Sequence, residues 1–301
     1  MERWAEFQPE EYLEATRQSF LPSDYASVIA KRCGLQNGSR ILEAGCGTGA
    51  FSRYIAQSVE YVQFTGIDSD PQLIEYYNQF PTKGTNTFSG VLGDVSYLPM
   101  EDSFFDAVCS HTFLTCISDP EASLKEMIRV CRTGGVISAV TTMSWKPEIS
   151  DDGRYPKEDQ GWVRHFKELY QRMYAAYYEQ FQGMSMAQGL QPNQIPAFFR
   201  KCGLEEVSVL AVGRAFSLSD AALTGEEKRR YIHNFYLGEQ KKASYLLAHI
   251  RQKKLLEEET IREFTEYLAR WKDFWLSHVD DNDIWEWTGS SQLLTTGKKS
   301  K

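Results

Sequence analysis

The sequence predicts an α/β fold in which a parallel sheet is covered by helices on both faces. Three observations predict it. Short apolar runs alternate with helical patterns from Arg40 to Thr142. The first three of those runs carry an acid at or near their ends, at Glu43, Asp68 and Asp94. A glycine-rich turn, Gly45-Cys46-Gly47-Thr48-Gly49, joins the first apolar run to the next helical pattern.

The elements follow in order. From Glu10 to Cys33 the pattern is helical, and Ser23 is placed to cap a second helix that turns Tyr25, Val28 and Ile29 inward. Asn37-Gly38 is a turn, and Arg40 to Ala44 is the first strand. Val62 to Asp68 is the second strand, followed by a helix over Pro71 to Tyr77. Gly90 to Asp94 is a short third strand and Phe105 to Phe113 a fourth. Pro120 to Cys131 is a helix with proline in its first turn and Thr133-Gly134-Gly135 just past its end. Gly135 to Thr142 is the fifth strand, and Asp106, just inside the fourth, has a structural role.

Beyond Thr142 the composition shifts to a polar loop, then to an aromatic-rich helix over Gly161 to Phe181. Ile195 to Val212 reads as a helix, a glycine stop and a sixth strand. Glu226 to His278 is helical and densely charged, and Ser291 to Lys299 supplies a last strand and a basic tail. The expected organisation is one domain over 1–301. It comprises N-terminal helices 1–39, a core 40–142, an aromatic segment 143–190, a helix and strand 191–215, a helical insertion 216–288 and a last strand with its tail 289–301.

Composition narrows the function. Of 301 residues, 42% are hydrophobic and 25% charged, as in a globular protein, and the net charge of −8 weighs against nucleic acid as a partner. No apolar run reaches the length of a membrane span, and "MERWAEFQPEEY" lacks the plan of a secretory signal. The six cysteines form no CxxC pair and are expected to be reduced thiols of a cytoplasmic protein. The five histidines lack ligand spacing, so no metal is expected.

The glycine loop carries the chemistry. Ligands of a parallel sheet bind at the carboxyl ends of its strands, and glycines there let a ligand approach the backbone. The spacing is G-x-G-x-G rather than the dinucleotide G-x-G-x-x-G, and Glu43 stands two residues ahead of Gly45. A buried carboxylate repels a pyrophosphate but attracts an ammonium, while loop amides and the helix start near Ala50 receive a carboxylate. Asp68 follows the loop by about twenty residues, the separation of a ribose-binding acid. Asp94 with Val95 suits the edge and face of an adenine. An amino acid, a ribose and a base together make S-adenosylmethionine.

The stretches "LEAGCGTGAFSRYIA", "FTGIDSDPQLIEYY" and Gly93 to Ile137 resemble the class I S-adenosylmethionine-dependent methyltransferases, in their ubiquinone/menaquinone-biosynthesis-like branch. "GLQPNQIPAFFRKCGLEEVSV" resembles the helix before the sixth strand in such enzymes. The resemblance implies a Rossmann-like, doubly wound, seven-stranded and mostly parallel sheet with an antiparallel last strand. It implies helical N-terminal and C-terminal additions that cap the active site. It implies cofactor contacts from Glu43, Gly45, Cys46, Gly47, Gly49, Asp68, Ser69, Asp94, Val95, Ser110 and His111.

Methyl transfer is an in-line displacement that needs alignment, exclusion of water and, for some acceptors, a base. His111 is the first candidate base by its place after the fourth strand, and His165 the second. "SHTF" stands where nucleic-acid and glutamine N-methylating relatives carry [ND]-P-P-[YF]. Trp162, Phe166 and Tyr170 are candidates to wall a substrate, though such a stripe also suits a core, and Tyr12 and Phe20 are lid candidates. The helical insertion completes the pocket or forms the face of a homodimer. The expected activity is metal-independent methylation of a small molecule at oxygen, nitrogen or carbon. Its rivals are a non-catalytic S-adenosylmethionine-binding protein and a nucleotide-dependent oxidoreductase.

Overall fold

The computed structural model describes residues 23–143, 155–178, 190–218, 220–281 and 287–300, together with Glu10, Leu13, Glu14, Arg17 and Leu21. The chain divides into two compact units. One comprises Met1–Ser144, Met184–Arg214 and Ser290–Lys301; the other comprises Trp145–Gly183 and Ala215–Gly289. The sequence reading gave one domain over 1–301, and the internal contacts group that chain into these two units. The aromatic segment and the helical insertion, far apart in sequence, share one apolar core.

The first unit is built on an eight-stranded sheet: β1 (Arg40–Ala44), β2 (Gln63–Asp68), β3 (Thr82–Lys83), β4 (Asn86–Leu92), β5 (Phe105–His111), β6 (Cys131–Met143), β7 (Leu204–Ser217) and β8 (Trp287–Lys299). Their order is β3-β4-β2-β1-β5-β6-β8-β7. β1 pairs in parallel with β2 on one side and β5 on the other. β4 and β6 extend the parallel set, and β8 runs antiparallel to β6. The winding therefore reverses between β1 and β5, which makes the gap beyond their carboxyl ends the switch point of the sheet.

Seven strands were expected, and the sheet has eight among the described residues. The addition is the two-residue β3, folded back antiparallel on β4 through a turn where Gly84 takes φ +62°. β4 also begins at Asn86 and ends at Leu92, so Asp94 lies beyond the strand rather than at its tip.

Local sequence explains the helices around this sheet. A 3-10 turn at Ser23–Tyr25 leads into α1 (Ala26–Arg32), which buries Ala26, Ile29 and Ala30. Val28 was expected inward but is 42% exposed, because the buried stripe runs 26, 29, 30. α2 (Ala50–Ile55) buries Phe51, Tyr54 and Ile55. α3 (Pro71–Tyr77) and α4 (Pro120–Val130) each start with proline, behind the caps Asp70 and Asp119. Asp106 accepts from the Arg40 amide at 2.8 Å and pairs with Arg132 at 2.9 Å, the structural role expected of it.

The end of the sheet remote from the glycine loop is pinned by a buried amide. The Asn86 side chain accepts from Val62 N at 2.9 Å and donates to the carbonyls of Ala56 at 3.0 Å and Val59 at 2.8 Å.

The second unit is helical: α5 (Gln160–Tyr178), α7 (Gly225–Lys253) and α8 (Glu258–Ser277), with α6 (Ile195–Lys201) belonging to the sheet unit. Thr224 and Glu227 form a reciprocal capping box at the start of α7. Its core gathers Leu169, Met173, Ile250, Ile261, Phe264 and Trp275. Among the described residues, no helix is long and apolar enough to cross a membrane.

Replacing Asn86 by alanine leaves a buried amide and two carbonyls unpaired. The expected loss of stability is about 2–3 kcal/mol, to be read from denaturant unfolding of the variant against the wild type.

Candidate functional site

The loop between β1 and α2 sits at the switch point. Gly45, Gly47 and Gly49 all lie in the left-handed region, at φ +65°, +51° and +78°. At Gly45 the requirement is double, because the Phe113 ring occupies the space a Cβ would need, 2.1 Å from its position. Gly49 precedes α2 at its N-cap position, and its amide donates to Cys46 O at 2.8 Å.

Two acids fix this loop. Glu43 is only 1% exposed, and its carboxylate accepts from the amide of Ser52 at 3.2 Å and from the Ser52 hydroxyl. The acid at the end of β1 thereby holds the first turn of α2. Burial pushes the Glu43 carboxyl up to about 7, with the Ser52 bonds opposing the shift. Asp68, half-buried at the end of β2, accepts from Gly47 N at 2.9 Å through one oxygen and from Asp70 N at 3.0 Å through the other. Burial raises its carboxyl as well, against those backbone bonds.

Asp94 is exposed, and its Oδ1 accepts from the Ser96 amide at 2.8 Å and hydroxyl at 2.7 Å, while neighbouring Val95 is buried. Ser69 follows Asp68 and is half-buried. Ser110 lies buried on β5, with its hydroxyl 3.4 Å from Ser138 O.

His111 ends β5 and is 5% exposed. Its ring stacks on Phe51 at 5.1 Å between centroids, and Nε2 meets the Gln292 amide Nε2 at 3.2 Å. As the amide is placed, His111 Nε2 accepts and the proton resides on Nδ1. Burial, with the Arg17 guanidinium adding to it and Gln292 opposing, holds this imidazole well below its ordinary range. It is a neutral group at physiological pH. The chain then bends sharply: Thr112 takes φ +52°, and its hydroxyl accepts from Arg17 at 2.8 Å.

The structure thus brings Glu43, Gly45, Cys46, Gly47, Gly49, Asp68, Ser69, Asp94, Val95, Ser110 and His111 into the sheet unit, at or just beyond the strand ends. The remaining expectations fall elsewhere. His165 belongs to the helical unit, with Nε2 2.6 Å from Glu263 Oε1. Trp162 and Phe166, candidates for a substrate wall or for core, are each 8% exposed and pack inside that unit's core. Trp162 meets Phe274 edge-on at 5.8 Å, and Phe166 stacks on Phe264 at 6.0 Å. Tyr170 donates to Glu239 at 2.8 Å within the same unit. Tyr12 and Phe20 lie outside the described residues.

Sequence reading missed Ser52, Phe113, Thr112, Arg17 and Gln292. Ser52 alone left a local signal, a hydroxyl three residues after Gly49 where a helix N-terminus takes a bond.

Comparison with known proteins agrees with this geometry. Residues 42–139 match a family model described as a methyltransferase domain. An uncharacterized chloroplastic methyltransferase of Arabidopsis thaliana is 33% identical over 116 residues, 36% of this chain and 33% of its own length. Demethylmenaquinone methyltransferase of Staphylococcus aureus (strain JH9) is 31% identical over 115 residues, 38% of this chain and 47% of its own. The matches span less than half the length of these curated relatives. Among solved structures, YcgJ of Bacillus subtilis aligns at TM-score 0.50 and 15% identity, over 93% of this chain and all of its own. A Haemonchus contortus phosphoethanolamine N-methyltransferase 2, solved with phosphomonomethylethanolamine and S-adenosylhomocysteine, aligns at 0.50 and 16% identity, over 92% of this chain and 53% of its own. These two likenesses concern the fold. The sheet unit has a Rossmann-like, doubly wound, mostly parallel fold.

Glu43 generates a pH dependence. Its folded carboxyl titrates near 7, above the unfolded value, so the folded state holds the proton more tightly. Its contribution to stability is full below the ordinary carboxylate range and is lost as pH rises through about 7. Denaturant unfolding from pH 5 to 8 is therefore expected to show the wild type losing stability relative to Glu43→Gln, by about 1–3 kcal/mol. Parallel curves for the two proteins would contradict the assignment.

Proposed function

We propose that the protein is a methyltransferase that uses S-adenosylmethionine and acts on a small molecule. The observation that carries the reading is the bond from Gly47 N to Asp68. It joins a loop of three left-handed glycines to the acid of the neighbouring strand, at the point where the sheet reverses.

The residues fit the cofactor. At Gly47 a Cβ would meet nothing nearer than Leu13 Cδ1 at 3.7 Å, so the loop backbone leaves room for a close approach. Asp68 retains acceptor capacity for ribose hydroxyls beside its two backbone bonds. Asp94 and Val95 offer a polar group and an apolar surface for the base, Ser69 follows the end of β2, and Ser110 and His111 close β5. When bound, the sulfonium supplies an electrophilic methyl group with a neutral thioether as leaving group, so the displacement needs no metal ion. Glu43 contributes by fixing α2 and the loop, and its nearly complete burial keeps bulk water from that side. His111, buried and stacked on Phe51, shapes the end of β5 where the acceptor's oxygen, nitrogen or carbon would meet the methyl group.

A small acceptor is favoured by the acidic composition and by the relative named demethylmenaquinone methyltransferase. Calorimetry with S-adenosylhomocysteine tests the cofactor reading. Asp68→Ala is expected to weaken binding by about 1–3 kcal/mol, the cost of leaving polar partners unpaired. Equal affinity in wild type and variant would remove Asp68 from the site, and binding of NAD in place of S-adenosylhomocysteine would sink the methyltransferase reading.

A further inference from the structure

Gln292 is fully buried on β8, and its side-chain oxygen has no hydrogen-bond partner among the described residues. A buried amide with an unpaired oxygen costs stability that a hydrocarbon side chain of similar size would not. Packing alone therefore gives no reason for glutamine at this position.

The register of the sheet gives one. Val140 of β6 pairs with His111 on one side and with Leu294 on the other. Cross-strand partners share a face, and side chains alternate along a strand. Gln292, two residues from Leu294, thus lies on the face that carries His111. There its amide Nε2 meets His111 Nε2 at 3.2 Å. Phe51 fixes the plane of the ring, 12° from parallel to its own, and Gln292 fixes the ring's rotation within that plane. The imidazole is neutral at physiological pH, so one nitrogen holds the proton and the other a lone pair. An amide nitrogen only donates, and here it meets the lone pair of Nε2.

We propose that Gln292 is a positioning residue that keeps the His111 proton on Nδ1, so that the imidazole offers a hydrogen bond to the bound ligand. The inference rests on the cofactor reading above and adds what His111 contributes to it. Gln292 is 0% exposed and His111 5%, so His111 is the member of the pair with surface left open. The ligand atom that meets Nδ1 is an oxygen with lone pairs, borne by the cofactor's carboxylate or by the methyl acceptor. In this tautomer Nδ1 takes no proton from the nucleophile.

The test is nitrogen NMR of the full chain carrying isotope-labelled histidine, with His111→Phe identifying the His111 signals among the five histidines. The wild type is expected to show a single tautomer, protonated at Nδ1. Gln292→Leu is expected to match or exceed the thermal stability of the wild type and to lose the single tautomer, both nitrogens sharing the proton. Gln292→Glu, whose carboxylate accepts, is expected to move the proton to Nε2. A wild-type proton on Nε2, or the wild-type tautomer persisting in folded Gln292→Leu, overturns the positioning role and leaves the cofactor reading standing. Should Gln292→Leu not fold, Gln292→Glu decides, and a proton still on Nδ1 there overturns the role as well. S-adenosylhomocysteine separates the two sources of oxygen. An Nδ1 signal that shifts on its binding assigns the cofactor's carboxylate, and one that stays, in a chain shown by calorimetry to bind, assigns the methyl acceptor. No binding by the wild type overturns the ligand role together with the cofactor reading.

Discussion

The bond between the Glu43 carboxylate and Ser52 is the constraint on which the site depends. It connects the last turn of β1 to the first turn of α2 and so sets the two ends of the glycine loop. A loop with three left-handed residues has few conformational restraints of its own, and glycine loses more freedom on folding than any other residue. Something outside the loop must hold it. Glu43 holds it along the chain, and Asp68 holds it from the neighbouring strand through Gly47. Both acids are held above the usual carboxylate range by burial, so the fold accepts an electrostatic cost to place them.

That arrangement alters how the acids read as chemistry. A carboxylate in a glycine loop suggests a direct ligand for an ammonium group. The structure gives Glu43 a prior commitment to Ser52. Asp94 is likewise bonded to its own turn through Ser96. Asp68 combines the last position of its strand with bonds from two backbone amides, which donate to its carboxylate without exhausting its lone pairs. The ranking of the acids by site geometry therefore differs from their equal standing as sequence marks.

What the sequence disclosed follows the range of the interactions. Arg40–Ala44 and Pro71–Tyr77 were legible to the residue, because apolar runs, a turn at Asn37-Gly38 and a proline start are local signals. The glycine loop was legible for the same reason. Gln292 was not: it meets His111 across 181 positions, and nothing around "SQLL" marks a buried amide. Phe113 likewise reads as the end of a strand, whereas its ring fills the space above Gly45. The division into two units was hidden because α5 and α8 look like separate amphipathic helices until Phe166 and Phe264 are seen to stack. β3 escaped notice because two residues carry no periodicity.

The order of strands also bears on how the chain is made. β8 sits between β6 and β7, although β7 precedes it in sequence and residues 218–286 come between. During vectorial synthesis β7 emerges before the strand that separates it from β6. Its hydrogen-bonding edge and that of β6 then face solvent while the helical segment is still being produced. An open edge is a template for pairing with other chains. The helical unit, with its own core, can condense in that interval, whereas the sheet closes only when the 287–299 segment arrives. The protein's most exposed moment in the cell is thus late in translation, and it falls on the sheet that carries the site.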